Sequence, residues 1–259
     1  MLRHHALATA RGGATSAVIV AVLTATLLVL IHLESPTAHA KAAAAPATST
    51  GGYGSGRIGS WRSNAKVISS GAHVRHVVAT DGVLLFGDSI AVQDGEALGR
   101  LLAQRTGASF AEYSWAGQPT SAAVNAMAAW ARSYGLPDRI VMAVGSNDIF
   151  DPPAFTAQVD QALRIAGPSR TVYWVNVQVS RTDGPASVQV ADQRNSEWVD
   201  LQLAQAQERY RNLQIVHWAE FLAARPERMR TDLRDGRHTT VPAGQTARNT
   251  LILQAIQHR

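Results

Sequence analysis

Two polar motifs that lie far apart in this 259-residue chain contain side chains that could transfer an acyl group. Ser89, in a Gly-Asp-Ser run at 87–89, is a candidate nucleophile for an ester carbonyl. His238, in an Asp-Gly-Arg-His run at 235–238, is a candidate base that would take the serine proton and return it to the leaving group. Asp235 would hold the imidazole tautomer and stabilise its charged form. The three residue types are those that nucleophilic catalysis by serine requires.

Two further motifs could supply donors to the oxyanion that such an attack creates. Gly117, in Trp-Ala-Gly-Gln at 115–118, lets the backbone approach a substrate and offer its N–H. Asn147, in Gly-Ser-Asn-Asp at 145–148, carries a neutral amide donor, and the N–H of Ser89 at the start of a helix is a third donor. Each motif alone has a commoner use, as a helix cap, a turn glycine or a turn asparagine.

The pattern of apolar residues places these motifs on a regular frame. Strand-like apolar runs alternate with helical stripes, which predicts a parallel sheet in a three-layer α/β/α sandwich. We predict strands at 83–86, 108–113, 140–144, 171–177 and 213–216. We predict helices around 97–102, 121–132, 155–165, 199–210 and 246–256. Active sites of such sheets gather at the carboxyl ends of the strands, where the motifs at 87–89, 115–118 and 145–148 lie.

Taken together, the motifs resemble those of the SGNH (GDSL-type) hydrolase superfamily over residues 83–259. The resemblance implies a flavodoxin-like sheet of five parallel strands and an acyl-serine intermediate on Ser89. It implies His238 as the base with Asp235 as its orienter, and Ser89, Gly117 and Asn147 as the oxyanion hole. It implies no cofactor.

Other catalytic schemes fit the sequence less well. There is no Gly-x-Ser-x-Gly elbow of an α/β-hydrolase and no His-Glu-x-x-His or comparable metal motif, so we expect no metal. The absence of cysteine excludes disulfides and a cysteine nucleophile. His217, after the fifth predicted strand, is the one rival to His238 as the base.

The region between the motifs at 145–148 and 235–238 resembles a narrower group of proteins within this superfamily. Residues 175–181, Trp198 and 215–218 are similar to extracytoplasmic SGNH domains of cell-wall O-acetyltransferases and carbohydrate esterases. An esterase and a transferase share the acyl-serine intermediate, and differ in whether water or a sugar hydroxyl resolves it. We predict that a long loop at 180–196 forms one wall of the acyl or sugar site.

The N-terminal residues predict export. Arginines at positions 3 and 11, an apolar stretch at 14–33 and an Ala-His-Ala site at 38–40 make residues 1–40 either a cleaved signal peptide or a membrane anchor. Residues 41–65 are rich in Ala, Gly, Ser and Thr and are interpreted as a flexible linker before a hydrolase domain at 66–259. Both alternatives place that domain outside the cytoplasm, secreted or anchored at the cell surface.

The composition and charge of the chain limit the classes of binding partner that we expect. The net charge of +5 is not concentrated in a Lys/Arg run with interleaved aromatics, so we expect no nucleic-acid partner. The expected partner is a small-molecule or carbohydrate ester, and the oligomeric state is left open. The sequence therefore predicts an exported esterase acting on short acyl groups, such as O-acetyl groups on envelope carbohydrate. A cell-surface O-acyltransferase and a non-catalytic carbohydrate-binding relative are the alternatives.

Overall fold

A six-stranded sheet with helices on both faces forms the centre of the protein, in a computed structural model that describes residues 52–258. The strands are β1 (Lys66–Ile68), β2 (Val83–Gly87), β3 (Phe110–Trp115), β4 (Arg139–Ala143), β5 (Thr171–Val175) and β6 (Leu213–Val216). The helices are α1 (Gly71–Ala79), α2 (Ser89–Thr106), α3 (Thr120–Tyr134), α4 (Phe155–Ala166), α5 (Ala186–Arg209), α6 (Trp218–Ala223), α7 (Arg228–Thr231) and α8 (Ala243–Gln257). Short 3-10 turns at Asp148–Phe150 and Pro152–Ala154 follow β4.

Strand β2 is apolar on both faces because helices cover both. Val83 and Leu85 belong to a buried cluster with α2 and α8. Leu84 and Phe86 point to the opposite face and pack in a larger cluster with α1, α3, α4 and α5. This alternation produces the three layers expected from the sequence.

The strand order is β1-β3-β2-β4-β5-β6, and all neighbours from β3 to β6 are parallel. The five parallel strands have the flavodoxin-like order, so the predicted fold class is confirmed. The additional edge strand β1 pairs antiparallel with β3 and was not predicted, since three exposed residues carry no usable periodicity. Register brings Gly87 level with Ser114 on β3 and Ala143 on β4, so the loops after these strands start at one height.

Residues 52–65 pack against the domain, where the sequence analysis expected part of a flexible linker. Ser55 is only 2% exposed, and its carbonyl oxygen accepts a hydrogen bond from the Arg181 guanidinium at 2.6 Å. The Asn195 amide nitrogen lies 3.0 Å from the Tyr53 carbonyl oxygen and 2.9 Å from the Ser55 hydroxyl. We call residues 52–65 the N-terminal segment. These contacts join it to helix α5 and to the loop before that helix.

The predictions for residues 1–40 and for the first part of the linker concern residues outside the described range. Within 52–258, no helix combines the length and apolar character needed to cross a membrane.

The long loop predicted at 180–196 is shorter in the structure. Helix α5 begins at Ala186, so residues 186–196 are helical and the loop ends at Pro185. The prediction of a loop over residues 186–196 was wrong because this stretch of α5 is rich in polar residues and has no clear apolar stripe.

Candidate active site

Ser89 is the first residue of α2, and one residue, Asp88, separates it from the central strand β2. Asp88 caps the helix by accepting a hydrogen bond from the Ile90 N–H at 3.0 Å, and its other carboxylate oxygen accepts one from the Ser146 hydroxyl. The Asp88 side chain therefore links the loops after β2 and β4. The Ser89 N–H is one of the first-turn amides that have no partner inside a helix.

The structure brings Ser89, His238 and Asp235 together. The Ser89 Oγ lies 2.9 Å from His238 Nε2, and His238 Nδ1 lies 2.8 Å from Asp235 Oδ2. The candidate nucleophile, base and orienter are thus joined by two hydrogen bonds, although Ser89 and His238 are 149 positions apart. The alternative base, His217, lies beside Glu220 at 3.2 Å with its side chain 61% exposed.

Hydrogen bonds set the charge state of Asp235. Burial raises the pKa of this carboxyl group, but the hydrogen bonds from the His238 amide and ring, together with the nearby charges of His238 and Arg237, outweigh burial. The net effect holds the pKa of Asp235 below its ordinary value. Asp235 is therefore ionised when the neutral imidazole has to accept a proton.

The loop that carries Asp235 and His238 is supported from behind by residues 180–182. The Ser180 N–H donates to the Gly236 carbonyl oxygen at 2.9 Å, and the Thr182 N–H donates to that of Asp235 at 3.1 Å. Gly236 has a φ of +76°, and a Cβ there would lie 1.9 Å from the Ser180 carbonyl oxygen. The 180–185 loop thus supports the loop that carries the candidate base, whereas the sequence analysis expected residues 180–196 to form a wall of the substrate site.

The three predicted oxyanion donors line one cavity of about 370 Å³ together with His238. Gly117 has a φ of +81°, a conformation that glycine adopts without strain. The Asn147 amide donates one hydrogen bond, to the Gln118 carbonyl oxygen at 3.1 Å, and its second hydrogen is available to a ligand. The cavity can therefore place a carbonyl carbon near Ser89 Oγ and its oxygen near these donors.

Two residues at the ends of the predicted motifs, Gln118 and Asp148, link the candidate donors to the rest of the fold, and the sequence analysis gave them no role. Gln118 donates from its side chain to the Gly87 carbonyl oxygen at 2.5 Å. Asp148 accepts from the Thr120 amide at 3.1 Å and from the Thr120 hydroxyl at 2.7 Å, which joins the Asn147 loop to the start of α3. Burial raises the pKa of Asp148 to about 7, with Thr120 opposing the shift and the charges of Asp88 and Asp151 adding to it. Both residues immediately follow a predicted donor in the sequence, which is the signal that could have found them.

The remaining cavity wall comes from residues to which the sequence analysis gave no role in the site. Ile58 and Trp61 of the N-terminal segment line it, as do Phe150 after β4 and Arg237 beside the base. The Trp61 ring packs edge to face on Trp115 at a centroid distance of 5.1 Å. The N-terminal segment therefore takes the place that residues 180–196 were expected to fill.

The described residues contain no group of three or more His, Asp or Glu side chains arranged to hold a metal ion. The chemistry derived above uses a serine, a histidine, a carboxylate and hydrogen-bond donors.

Comparison with solved structures assigns the fold. The C-terminal catalytic domain of peptidoglycan O-acetyltransferase A from Streptococcus pneumoniae is similar with a TM-score of 0.53 and 19% identity, over 69% of this chain and 92% of that one. A GDSL-like lipase from Bacteroides thetaiotaomicron is similar with a TM-score of 0.57 and 15% identity, over 70% and 89% of the two chains. A lipase/acylhydrolase from Enterococcus faecalis is similar with a TM-score of 0.54 and 18% identity, over 69% and 96%.

The protein thus has the SGNH hydrolase fold, in agreement with the resemblance drawn from its motifs. No family model matches the chain, and no curated protein is significantly similar to it in sequence.

Proposed function

We propose that this protein is an exported serine esterase that removes short acyl groups, such as O-acetyl groups, from carbohydrate esters. The observation that carries the proposal is the Ser89–His238–Asp235 chain of hydrogen bonds, which opens into a cavity lined by the three oxyanion donors. Similarity of fold to lipases and to an O-acetyltransferase domain supports acyl chemistry. The sequence of residues 1–40 supports export.

The proposed first half-reaction forms an acyl-enzyme. Ser89 Oγ attacks the ester carbonyl carbon while its proton passes to His238 Nε2. The carbonyl oxygen becomes an oxyanion and accepts hydrogen bonds from the Ser89 N–H, the Gly117 N–H and the Asn147 amide. When the oxyanion collapses, the bond to the alcohol oxygen breaks, and the leaving alcohol takes the proton from His238.

The second half-reaction restores the serine. A water molecule gives a proton to His238 and attacks the acyl carbon, and the bond between that carbon and Ser89 Oγ then breaks with return of the proton to Ser89. Transfer to a sugar hydroxyl, the alternative function, would follow the same route with the hydroxyl in place of water. Its supporting observation is the fold similarity to the peptidoglycan O-acetyltransferase domain, whose solved structure carries a methylsulfonyl adduct.

Replacement of the nucleophile tests the mechanism. The purified protein should hydrolyse 4-nitrophenyl acetate and be labelled at Ser89 by a serine-directed phosphonate, and Ser89→Ala should lose labelling and about 10⁴-fold or more of kcat. Ser133→Ala, which removes an exposed hydroxyl on α3, is the matched control and should behave as wild type. Retention of full activity by Ser89→Ala would refute the proposal. Adding an oligosaccharide acceptor and measuring acylated product by mass spectrometry separates transfer from hydrolysis.

A further inference from the structure

Arg237 gives the cavity a charge that the ester chemistry does not use. Among the described residues that line the cavity, it is the only one with a permanent charge, and it lies on the same wall as His238. The other lining residues are apolar, aromatic or neutral polar, apart from His238 itself. A guanidinium in a partly enclosed site of this kind favours a negatively charged ligand.

Among the residues that the structure describes, none is a hydrogen-bond or ion-pair partner of the Arg237 guanidinium. Its Nε is buried without a hydrogen-bond acceptor, and within residues 52–258 the guanidinium makes no hydrogen bond or close ion pair. The two Nη groups are not buried in this way, so they can donate to an acceptor that a ligand supplies. This separates Arg237 from Arg181, whose Nε and Nη2 donate hydrogen bonds to the Asp192 carboxylate and the Ser55 carbonyl oxygen.

Asp235 does not account for the position of the Arg237 guanidinium. Oδ1 of Asp235 accepts from the backbone amides of Arg237 and His238, and Oδ2 faces the His238 ring. The guanidinium within ion-pair distance of this carboxylate is that of Arg234, at 3.8 Å. Arg237 adds to the field at Asp235 from farther away, and its side chain faces the cavity.

We propose that Arg237 binds a carboxylate of the substrate, so that the ester hydrolysed by this protein carries a negative charge close to the scissile bond. This inference rests on the proposed esterase function and specifies its substrate class. Guanidinium and carboxylate match in shape and charge, and a hydrogen bond between charged groups is stronger than one between neutral groups. The carboxylate belongs either to the alcohol part of the ester, as in an acylated acidic sugar, or to the acyl part, as in a dicarboxylic half-ester.

Two matched pairs of esters distinguish these sources. For the alcohol side, 4-acetoxybenzoate is compared with methyl 4-acetoxybenzoate. For the acyl side, the 4-nitrophenyl half-ester of succinic acid is compared with its methyl ester. For each pair the readout is the ratio of kcat/KM for the anionic ester to that for the neutral ester, measured in wild type and in Arg237→Gln.

We expect one pair to show a ratio that falls about 10-fold in Arg237→Gln, because the variant loses a hydrogen bond between charged groups. Arg237→Lys should recover part of the ratio, and added salt should reduce it in wild type. Loss of the Arg237 charge beside Asp235 affects both members of a pair alike, so the ratio isolates recognition of the substrate. Arg230→Gln, which removes an exposed arginine from α7, should leave the ratio unchanged.

The outcomes separate this inference from the function on which it rests. Hydrolysis of both pairs with the same ratios in wild type and Arg237→Gln would overturn the role of Arg237 and leave the esterase intact. Failure of the wild type to hydrolyse any of the four esters, together with no labelling of Ser89, would overturn the proposed function itself.

Discussion

Two regions of the protein meet at the cavity and are built in different ways. The loops after β2, β3 and β4 start at one height because the register of a parallel sheet fixes them, and they hold Ser89, Gly117 and Asn147. The N-terminal segment has no regular secondary structure before β1, and is held by hydrogen bonds from Arg181 and Asn195 to its backbone. The comparison indicates that the sheet positions the reacting groups while an irregular segment shapes the space for the substrate.

The two regions should therefore respond differently to substitution. A substitution in the strand-end loops should lower the rate of the chemical step and have little effect on the order of the N-terminal segment. A change in the contacts that hold the N-terminal segment should reduce stability and order there, and leave Ser89 reactive.

The largest effect in this comparison is expected from Asn147→Ala. Loss of one oxyanion donor should lower kcat for 4-nitrophenyl acetate by about 10²–10³-fold. KM should change little, because the hydrogen bond strengthens mainly in the transition state. Steady-state kinetics measure both quantities, with Asn125→Ala on the exposed side of α3 as the control.

Asn147→Asp sharpens the test because it keeps the size of the side chain and replaces the donor by a carboxylate. It should be at least as inactive as Asn147→Ala. Wild-type activity in either variant would remove Asn147 from the oxyanion hole.

A smaller effect, on stability, is expected from Asp148 in the same strand-end loop. Because its pKa is raised to about 7 in the folded protein, the protonated carboxyl group is favoured by folding. Its contribution to stability is complete below its ordinary pKa and is lost as the pH rises towards and through about 7, at a rate of at most about 1.4 kcal/mol per pH unit.

Asp148→Asn should remove this pH dependence. Urea unfolding at pH 5 and pH 8 should show that the free energy of unfolding of the variant, relative to wild type, is higher at pH 8 than at pH 5. Burial also raises the pKa of Glu112 and Asp200, so only the difference between variant and wild type isolates Asp148. Asp138→Asn, at an exposed position, is the control, and an equal difference at both pH values would contradict the assignment.

Asn195→Ala is expected to have the smallest effect on the rate of the reaction. It should have a clear effect on the stability of the N-terminal segment. The variant leaves the Tyr53 carbonyl, the Ser55 hydroxyl and the Ile149 carbonyl without this donor, and should lower the free energy of unfolding by about 1–3 kcal/mol. Hydrogen exchange should rise over residues 52–65, while Ser89 is still labelled by the phosphonate. Gln193→Ala, exposed on the same helix, is the control. Loss of labelling as complete as in Ser89→Ala would show that the two regions do not act separately.

The second half of the chain shows where sequence reasoning reached its limit. Both His217 and His238 are polar residues in predicted loops. The sequence therefore left His217 as a rival base. The structure brings His238 to 2.9 Å from Ser89 and leaves His217 beside Glu220. Residues 180–182 lie behind the Asp235–His238 loop, and their support consists of backbone hydrogen bonds that no side-chain pattern reports.

The sequence by itself determined the five parallel strands, their order along the chain and the candidate reacting residues. It could do so because apolar periodicity marks buried strands and because parallel strands bring their carboxyl ends to one edge. Only the tertiary structure decided that residues 58–61 line the cavity, that Arg237 faces it without a partner among the described residues, and that the loop at 180–185 supports the Asp235–His238 loop. These features depend on contacts between residues far apart in the chain, such as Tyr53 and Asn195, which are 142 positions apart. Irregular segments have no period from which such contacts could be inferred, so their place is decided by the surface that the sheet and helices present to them.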